Sequence, residues 1–272
     1  MLEIHTSAVN PFFLQMQIDC LRAYVADSDY RFVVFNDAKP FGDFTNFGDT
    51  GFRRAISDIC ARNNVMCIEL PSATHQQIVC PSTRTAHALD VMLEYERRLG
   101  NPLLLIDSDM FPIAHFDTHK YDGYDLAIVP QERAAADGRI VNYFWNGYAY
   151  LNLPVLNPVE KLSWRCNDIE GAWTDTGGGM HYFLRESKNK IFNIPVLGSG
   201  RWNTVPSHLP TAWRDYFAAD PKNTADGNFW SELYDDTFFH FRAGGNWEKE
   251  ERVLFDVRIN NLRETVYRTL PR

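Results

Sequence analysis

The chain of 272 residues has no apolar run approaching the roughly 20 residues that span a bilayer. No transmembrane segment is therefore expected. Its start, Met1-Leu2-Glu3-Ile4-His5-Thr6, has neither the basic nor the apolar region of a secretory signal. Cysteine is sparse and unpatterned: Cys20, Cys60, Cys67, Cys80 and Cys166 are odd in number and include no Cys-x-x-Cys pair. That spacing argues against structural zinc and a disulfide framework, and for thiols in a reducing, cytoplasmic compartment. Positive charge is also short, with 27 Lys and Arg against 35 Asp and Glu, a formal charge of -8 and a pI near 5.5. A general nucleic-acid partner is not expected, because such proteins carry a basic face to neutralise phosphates. Internal repeats and low-complexity linkers are absent as well.

What is present is an ordinary globular composition, 45% hydrophobic and 23% charged, long enough for a substantial core. Aromatic residues reach 14%, and every tryptophan, from Trp145 to Trp247, falls in the second half. Core packing accounts for such a bias; stacking against the C–H face of a sugar is the functional alternative.

Strand and helix patterns alternate through the first hundred residues. Strands are expected at 2–6, 30–35, 65–70 and 102–106, and helices at 13–25, 52–63 and 82–98, the last capped by Ser82. Such alternation implies an α/β fold with a largely parallel, doubly wound sheet and helices on both faces. Beyond residue 112 the pattern changes: strands at 124–130 and 141–153, a polar loop over 131–139, a helix over 180–186, a strand at 191–197 and a final helix from about residue 249. One domain over 1–272 is expected, with a nucleotide-binding half (1–112) and an elaborated half (113–272).

The stretch 102–112, Pro-Leu-Leu-Leu-Ile-Asp-Ser-Asp-Met-Phe-Pro, stands out. A buried strand surfaces in two carboxylates, and period-two alternation sends Asp107 and Asp109 to one side. Like charges that close repel unless a cation lies between them, which points to a divalent metal at the C-terminal edge of the sheet. A turn or a helix cap is the plain alternative.

Together, the apolar strand ending in Asp-x-Asp, the downstream Trp145-Asn146-Gly147 and the late His240-Phe241-x-x-Gly244-Gly245-x-Trp247 resemble a GT-A fold glycosyltransferase using nucleotide sugars. The late segment is similar to that of the glycogenin and galactinol-synthase-like family, which runs His-Phe-x-Gly, two variable residues, Lys-Pro-Trp. Here Ala243 replaces the first Gly and Asn246 stands in place of the Lys, so Arg242 or Lys249 becomes the substitute cation. The resemblance implies metal coordination by Asp107, Asp109 and His240, completed by donor diphosphate oxygens. Two carboxylates and one imidazole suit Mn²⁺ well and Mg²⁺ less comfortably.

The same resemblance assigns Thr6 and Ser7 to the base and ribose and Arg84 to the donor diphosphate or sugar. Asn36 and Asp37 are further nucleotide contacts, or simply turn formers. The donor set also takes in Ser108, Gly147, Arg242, Gly244, Gly245 and Asn246, the two late glycines letting backbone N–H groups approach phosphate closely. Asn146 matches the element that contacts the donor sugar. Asp175 lies where relatives carry an acid near the acceptor, as general base in an inverting enzyme or as an orienting group in a retaining one; it also reads as a helix cap. The expected activity is transfer of a sugar, from a UDP-sugar in first place, to a hydroxyl acceptor, a glycan by preference, with retention favoured. The competing readings are a phosphohydrolase like the haloacid dehalogenases and a non-catalytic carbohydrate- or nucleotide-binding protein.

Overall fold

The computed structural model describes residues 1–25, 29–43, 45–73, 80–197, 207–220, 231–242 and 252–271. Strand β1 (Leu2–Ala8), helix α1 (Leu14–Tyr24), β2 (Tyr30–Asn36), α2 (Phe52–Arg62), β3 (Met66–Glu69), α3 (Pro81–Leu99) and β4 (Pro102–Ile106) alternate in chain order. β1 runs parallel to both β2 and β4, and β2 parallel to β3. Strands covered on both faces must be apolar on both, which explains the uninterrupted Leu103-Leu104-Leu105-Ile106. Leu103 and Leu105 pack with Val33 and Phe35 under Leu89, Met92 and Leu93 of α3. Leu104 and Ile106 join Ile4 and Val34 under Ile18 and Leu21 of α1 and Ile56 of α2. Gly100, at φ 62, ends α3 in the left-handed conformation that glycine adopts without strain.

The second half comprises β5 (Met110–Pro112), β6 (Leu126–Ala134), β7 (Ile140–Asn152), β8 (Asn167–Ile169), β9 (Ala172–Thr174), α4 (Met180–Glu186), β10 (Ile191–Asn193), β11 (Val196–Leu197), α5 (Thr211–Ala219), β12 (Glu232–Tyr234), β13 (Phe238–His240) and α6 (Arg252–Thr269). The main sheet has the order β10-β6-β7-β4-β1-β2-β3, mostly parallel, with β7 antiparallel to both β4 and β6. A second, antiparallel sheet has the order β11-β12-β13-β5, and β8 pairs with β9 in a two-stranded ribbon. Phe111 of β5 and Phe239 of β13 pack in a third apolar cluster with Trp213 and Phe217 of α5 and Phe255 and Ile259 of α6. Among the described residues no helix is long and apolar enough to cross a membrane, and all five cysteines are free.

Several local expectations are corrected. Ser82 lies inside α3: Cys80 is its N-cap, and Pro81 takes the first turn, where its missing N–H costs nothing. Strand β6 runs on to Ala134, paired with β7 through Ile140, so only the tip of the 131–139 stretch is a loop. The stretch 191–197 is two strands in different sheets. Asp107 and Asp109 owe their common side to a turn after β4, with the Met110 N–H bonded to the Asp107 carbonyl at 3.1 Å, and not to strand alternation.

At the far end of β1 lies a buried charged cluster. The His5 Nδ1 is 3.0 Å from Glu96 Oε1 and its Nε2 is 3.3 Å from Glu3 Oε2, while Arg31 and Asn101 donate to Glu3. Burial raises the Glu3 carboxyl, but the bonds from His5, Arg31 and Asn101 outweigh it and bring it from 4.5 down to about 2. Burial lowers His5, and its bonds to Glu3 and Glu96 outweigh that too, leaving it above 6.5. The His5 contribution to stability is thus full below 6.5 and fades as pH rises through the raised value; that of Glu3 is full above 4.5 and fades as pH falls through about 2. Urea denaturation is expected to show higher stability at about pH 5.5 than at about pH 9 or 2.5, with a smaller alkaline fall in His5→Gln. Equal alkaline arms in the two proteins would exclude this account.

Candidate metal and nucleotide site

The corner between β4 and β5 is held from beneath. Gln17 of α1, fully buried, donates its Nε2 to the carbonyls of Asp107 (3.0 Å) and Met110 (2.7 Å), and the Asp107 N–H bonds the Gly147 carbonyl of β7 at 2.8 Å. Two elements of the main sheet layer therefore fix where Asp107 and Asp109 emerge. The third participant arrives by strand pairing: in the register of β13 with β5, His240 lies opposite Met110, the residue after Asp109. The Phe241 N–H closes this junction on the Asp109 carbonyl at 3.0 Å.

The His240 Nε2 is 3.2 Å from Asp109 Oδ1, and its Nδ1 is 2.9 Å from Glu232 Oε2, directly across the β12–β13 pair. One ligand atom from each of Asp107, Asp109 and His240 can be chosen so that all lie within 4.8 Å of one another. Burial, followed by the charge of Asp109, raises Asp107 from 3.8 to about 6. Burial acts to lower His240, yet its contacts with Asp109 and Glu232 prevail and raise it from 6.5 to about 10. Two carboxylates forced together out of water are an electrostatic demand for positive charge, and hard oxygens with one imidazole nitrogen fit a Mn²⁺ or Mg²⁺ ion. Glu232, accepting from Nδ1, is the kind of outer partner that orients a ligating histidine.

The triad opens into a cleft of about 650 Å³. Of the residues expected at the site, Ser7, Asp37, Arg84, Ser108, Asn146, Asp175 and Arg242 line it with the triad. Thr6 does not, because alternation along β1 turns its side chain to the opposite side from Ser7, where it is fully buried. Asn36 is likewise kept inside the fold, donating to the Arg53 carbonyl at 2.8 Å and accepting from the Ala38 N–H at 3.3 Å. Gly147 contributes its carbonyl to the Asp107 corner. Gly244, Gly245 and Asn246, with Lys249, lie outside the described residues. Asp175 does not cap α4, whose N-cap is Gly179; its Oδ1 accepts from the Thr176 N–H at 2.8 Å, and its side chain is exposed at the cleft.

Three cations of the cleft are held by carboxylates: Lys39 Nζ by Asp37 at 2.8 Å, Arg84 by Asp43 at 2.6 Å and Arg242 by Glu232 at 3.4 Å. Asp43 explains how an arginine is tolerated in the first turn of α3, where the helix dipole opposes it. Lys39 and Glu232 were not foreseen from sequence. Lys39 had a usable signal, its place just after the C-terminal end of a parallel strand; Glu232 had none until the pairing of β12 with β13 was known. Trp145 and Tyr234 stack in the cleft wall, ring centroids 5.0 Å apart at 20°.

No family model matches the chain, and no curated protein matches it. Solved structures similar to it include TarS of S. aureus, at 14% identity and a TM-score of 0.42 over 71% of this chain and 35% of that one. A second TarS structure, in complex with UDP, aligns at 16% identity and a TM-score of 0.31 over 51% and 37%. The galactosyltransferase LgtC, in complex with donor and acceptor sugar analogues, aligns at 14% and 0.32 over 56% and 58%. The chain thus aligns with little more than a third of either TarS chain.

A Cβ on Gly147 would lie 2.1 Å from the Trp145 ring. Gly147→Ala is therefore expected to push the indole off Tyr234, altering the near-ultraviolet circular dichroism and costing about 1–3 kcal/mol in denaturant titrations. An unchanged spectrum and stability would contradict the packing described.

Proposed function

We propose that the chain is a metal-dependent glycosyltransferase of GT-A type that moves a sugar from a nucleoside diphosphate sugar, UDP-linked in first place, to a hydroxyl acceptor. The observation that carries this reading is the convergence of Asp107, Asp109 and His240 in the lining of a cleft of about 650 Å³. A phosphohydrolase using Asp107 as nucleophile gives no role to an imidazole drawn in from another sheet strand to within 3.2 Å of Asp109. In this reading residues 1–112 bind the nucleotide and residues 113–272 the acceptor, all within one domain.

Asp107, Asp109 and His240 would hold Mn²⁺ or Mg²⁺, an ion that offsets the charge gathering on the departing diphosphate when bound. Glu232 keeps the imidazole turned so that Nε2 faces the carboxylates. Ser7 and Asp37 sit where β1 and β2 end, the edge at which open α/β sheets take nucleotides. Arg84, aimed by Asp43, and Arg242 present guanidinium groups to the phosphates. Asn146 meets the donor sugar with its amide. Asp175, exposed in the cleft, orients the acceptor hydroxyl; with retention, the leaving phosphate takes the proton.

Thermal-shift measurements with UDP, Mn²⁺ and both together test the reading. At about 100 times its dissociation constant a ligand adds roughly 2.7 kcal/mol, so the pair should raise the midpoint by several degrees. Asp109→Ala is expected to lose the metal-dependent part, and Glu232→Gln to weaken Mn²⁺ about 10- to 100-fold. No metal-dependent shift with UDP, GDP or dTDP sugars in the wild-type protein would end the proposal.

A further inference from the structure

Trp173 is 72% exposed, whereas Trp164 and Trp213 are 1% exposed and Trp145 is stacked on Tyr234. It occupies the middle of β9, between buried Ala172 and Thr174. Asp175 stands one residue beyond the end of β9, in the turn that follows, and its side chain is exposed like that of Trp173. Asp175 lines the cleft. Asp168 of β8 lies directly across from Trp173 in the ribbon register and is exposed on that same side. The indole thus has one carboxylate across the ribbon and another two residues on in the chain, at the cleft.

Leaving a tryptophan in water forgoes a large burial energy, so its environment shows what covers it. Neither strand of the ribbon presents a second large exposed apolar side chain, since Ile169 and Ala172 are buried. A protein partner needs a contiguous apolar area, and the ribbon offers none beyond the indole. An isolated aromatic face between two acceptor carboxylates matches a sugar ring, whose C–H face lies on the indole while its hydroxyls donate to the acids.

We propose that Trp173, with Asp168 and Asp175, forms an acceptor subsite that holds the sugar next to the reacting one. The acceptor is then an oligosaccharide or a longer glycan, and not a single sugar or a protein hydroxyl. This rests on the glycosyltransferase reading, and the subsite continues the cleft outward from the metal triad through Asp175.

A printed array of monosaccharides and their oligosaccharides, probed with the full chain in UDP and Mn²⁺, tests it. Wild-type protein should be retained on one or more oligosaccharides and not on the matching single sugars. Trp173→Ala should lower that retention about tenfold, the loss of one stacking contact, and Trp173→Phe should keep most of it. Because Trp173 is mostly exposed, neither variant should alter the melting temperature or the UDP–Mn²⁺ shift. Retention on no glycan, equal retention on single sugars, or an unchanged Trp173→Ala signal overturns the subsite. The wild-type UDP–Mn²⁺ shift separates the two ideas: its absence removes the glycosyltransferase reading, while its presence beside any of those results removes the subsite alone.

Discussion

The pairing of β13 with β5 is the constraint on which the site depends. Its register, Phe238 with Pro112, Phe239 with Phe111 and His240 with Met110, delivers the imidazole to Asp109. Alternation then sends Phe239 and Phe111 into the aromatic cluster beneath α5 and α6, their rings 5.4 Å apart. A slip of one residue would put the histidine into that cluster and a phenylalanine against the carboxylates, an exchange unfavourable on both faces. The hydrophobic cost of mispairing thus protects a polar geometry that contributes little stability of its own.

The site itself is a concentration of charge that the surrounding fold must hold in place. Asp109 and His240 are each 4% exposed, and the ion pair is extended to Glu232, which in turn accepts from the Tyr234 hydroxyl at 2.8 Å. These contacts join Asp109, His240, Glu232 and Tyr234 in one series, which lowers the cost of burying them. The Gln17 amide serves the same end on the other side, satisfying two carbonyls at a corner where the strand ladder has stopped.

Much of the first half was legible because its signals are local. Apolar runs such as Leu103 to Ile106 and helical stripes such as Leu14, Ile18 and Leu21 carry their periods in adjacent residues. Of the elements that went unforeseen, β5, β12, β13 and the ribbon of β8 and β9 are three residues long and exist only through pairing, which no short window of sequence records, while the nine-residue α5 was missed as well. The site followed the same division. Asp107, Asp109 and His240 could be named from their motifs, and the structure brings them together. Thr6 and Asn36 sit in the right strands, but strand parity and local hydrogen bonding direct their side chains elsewhere. Glu232 was invisible because its role is defined by the residue across from it.

His240 lies 131 positions after Asp109 in the chain. During synthesis the parallel strands through β4 can assemble long before β13 exists, so the nascent protein holds its two carboxylates without their imidazole. In the proposed reading, ion capture depends on both ends of this separation: a chain that stops between β7 and residue 240 has the acidic corner and lacks the imidazole. On that reading, metal retention would report that β13 has been made and has paired with β5.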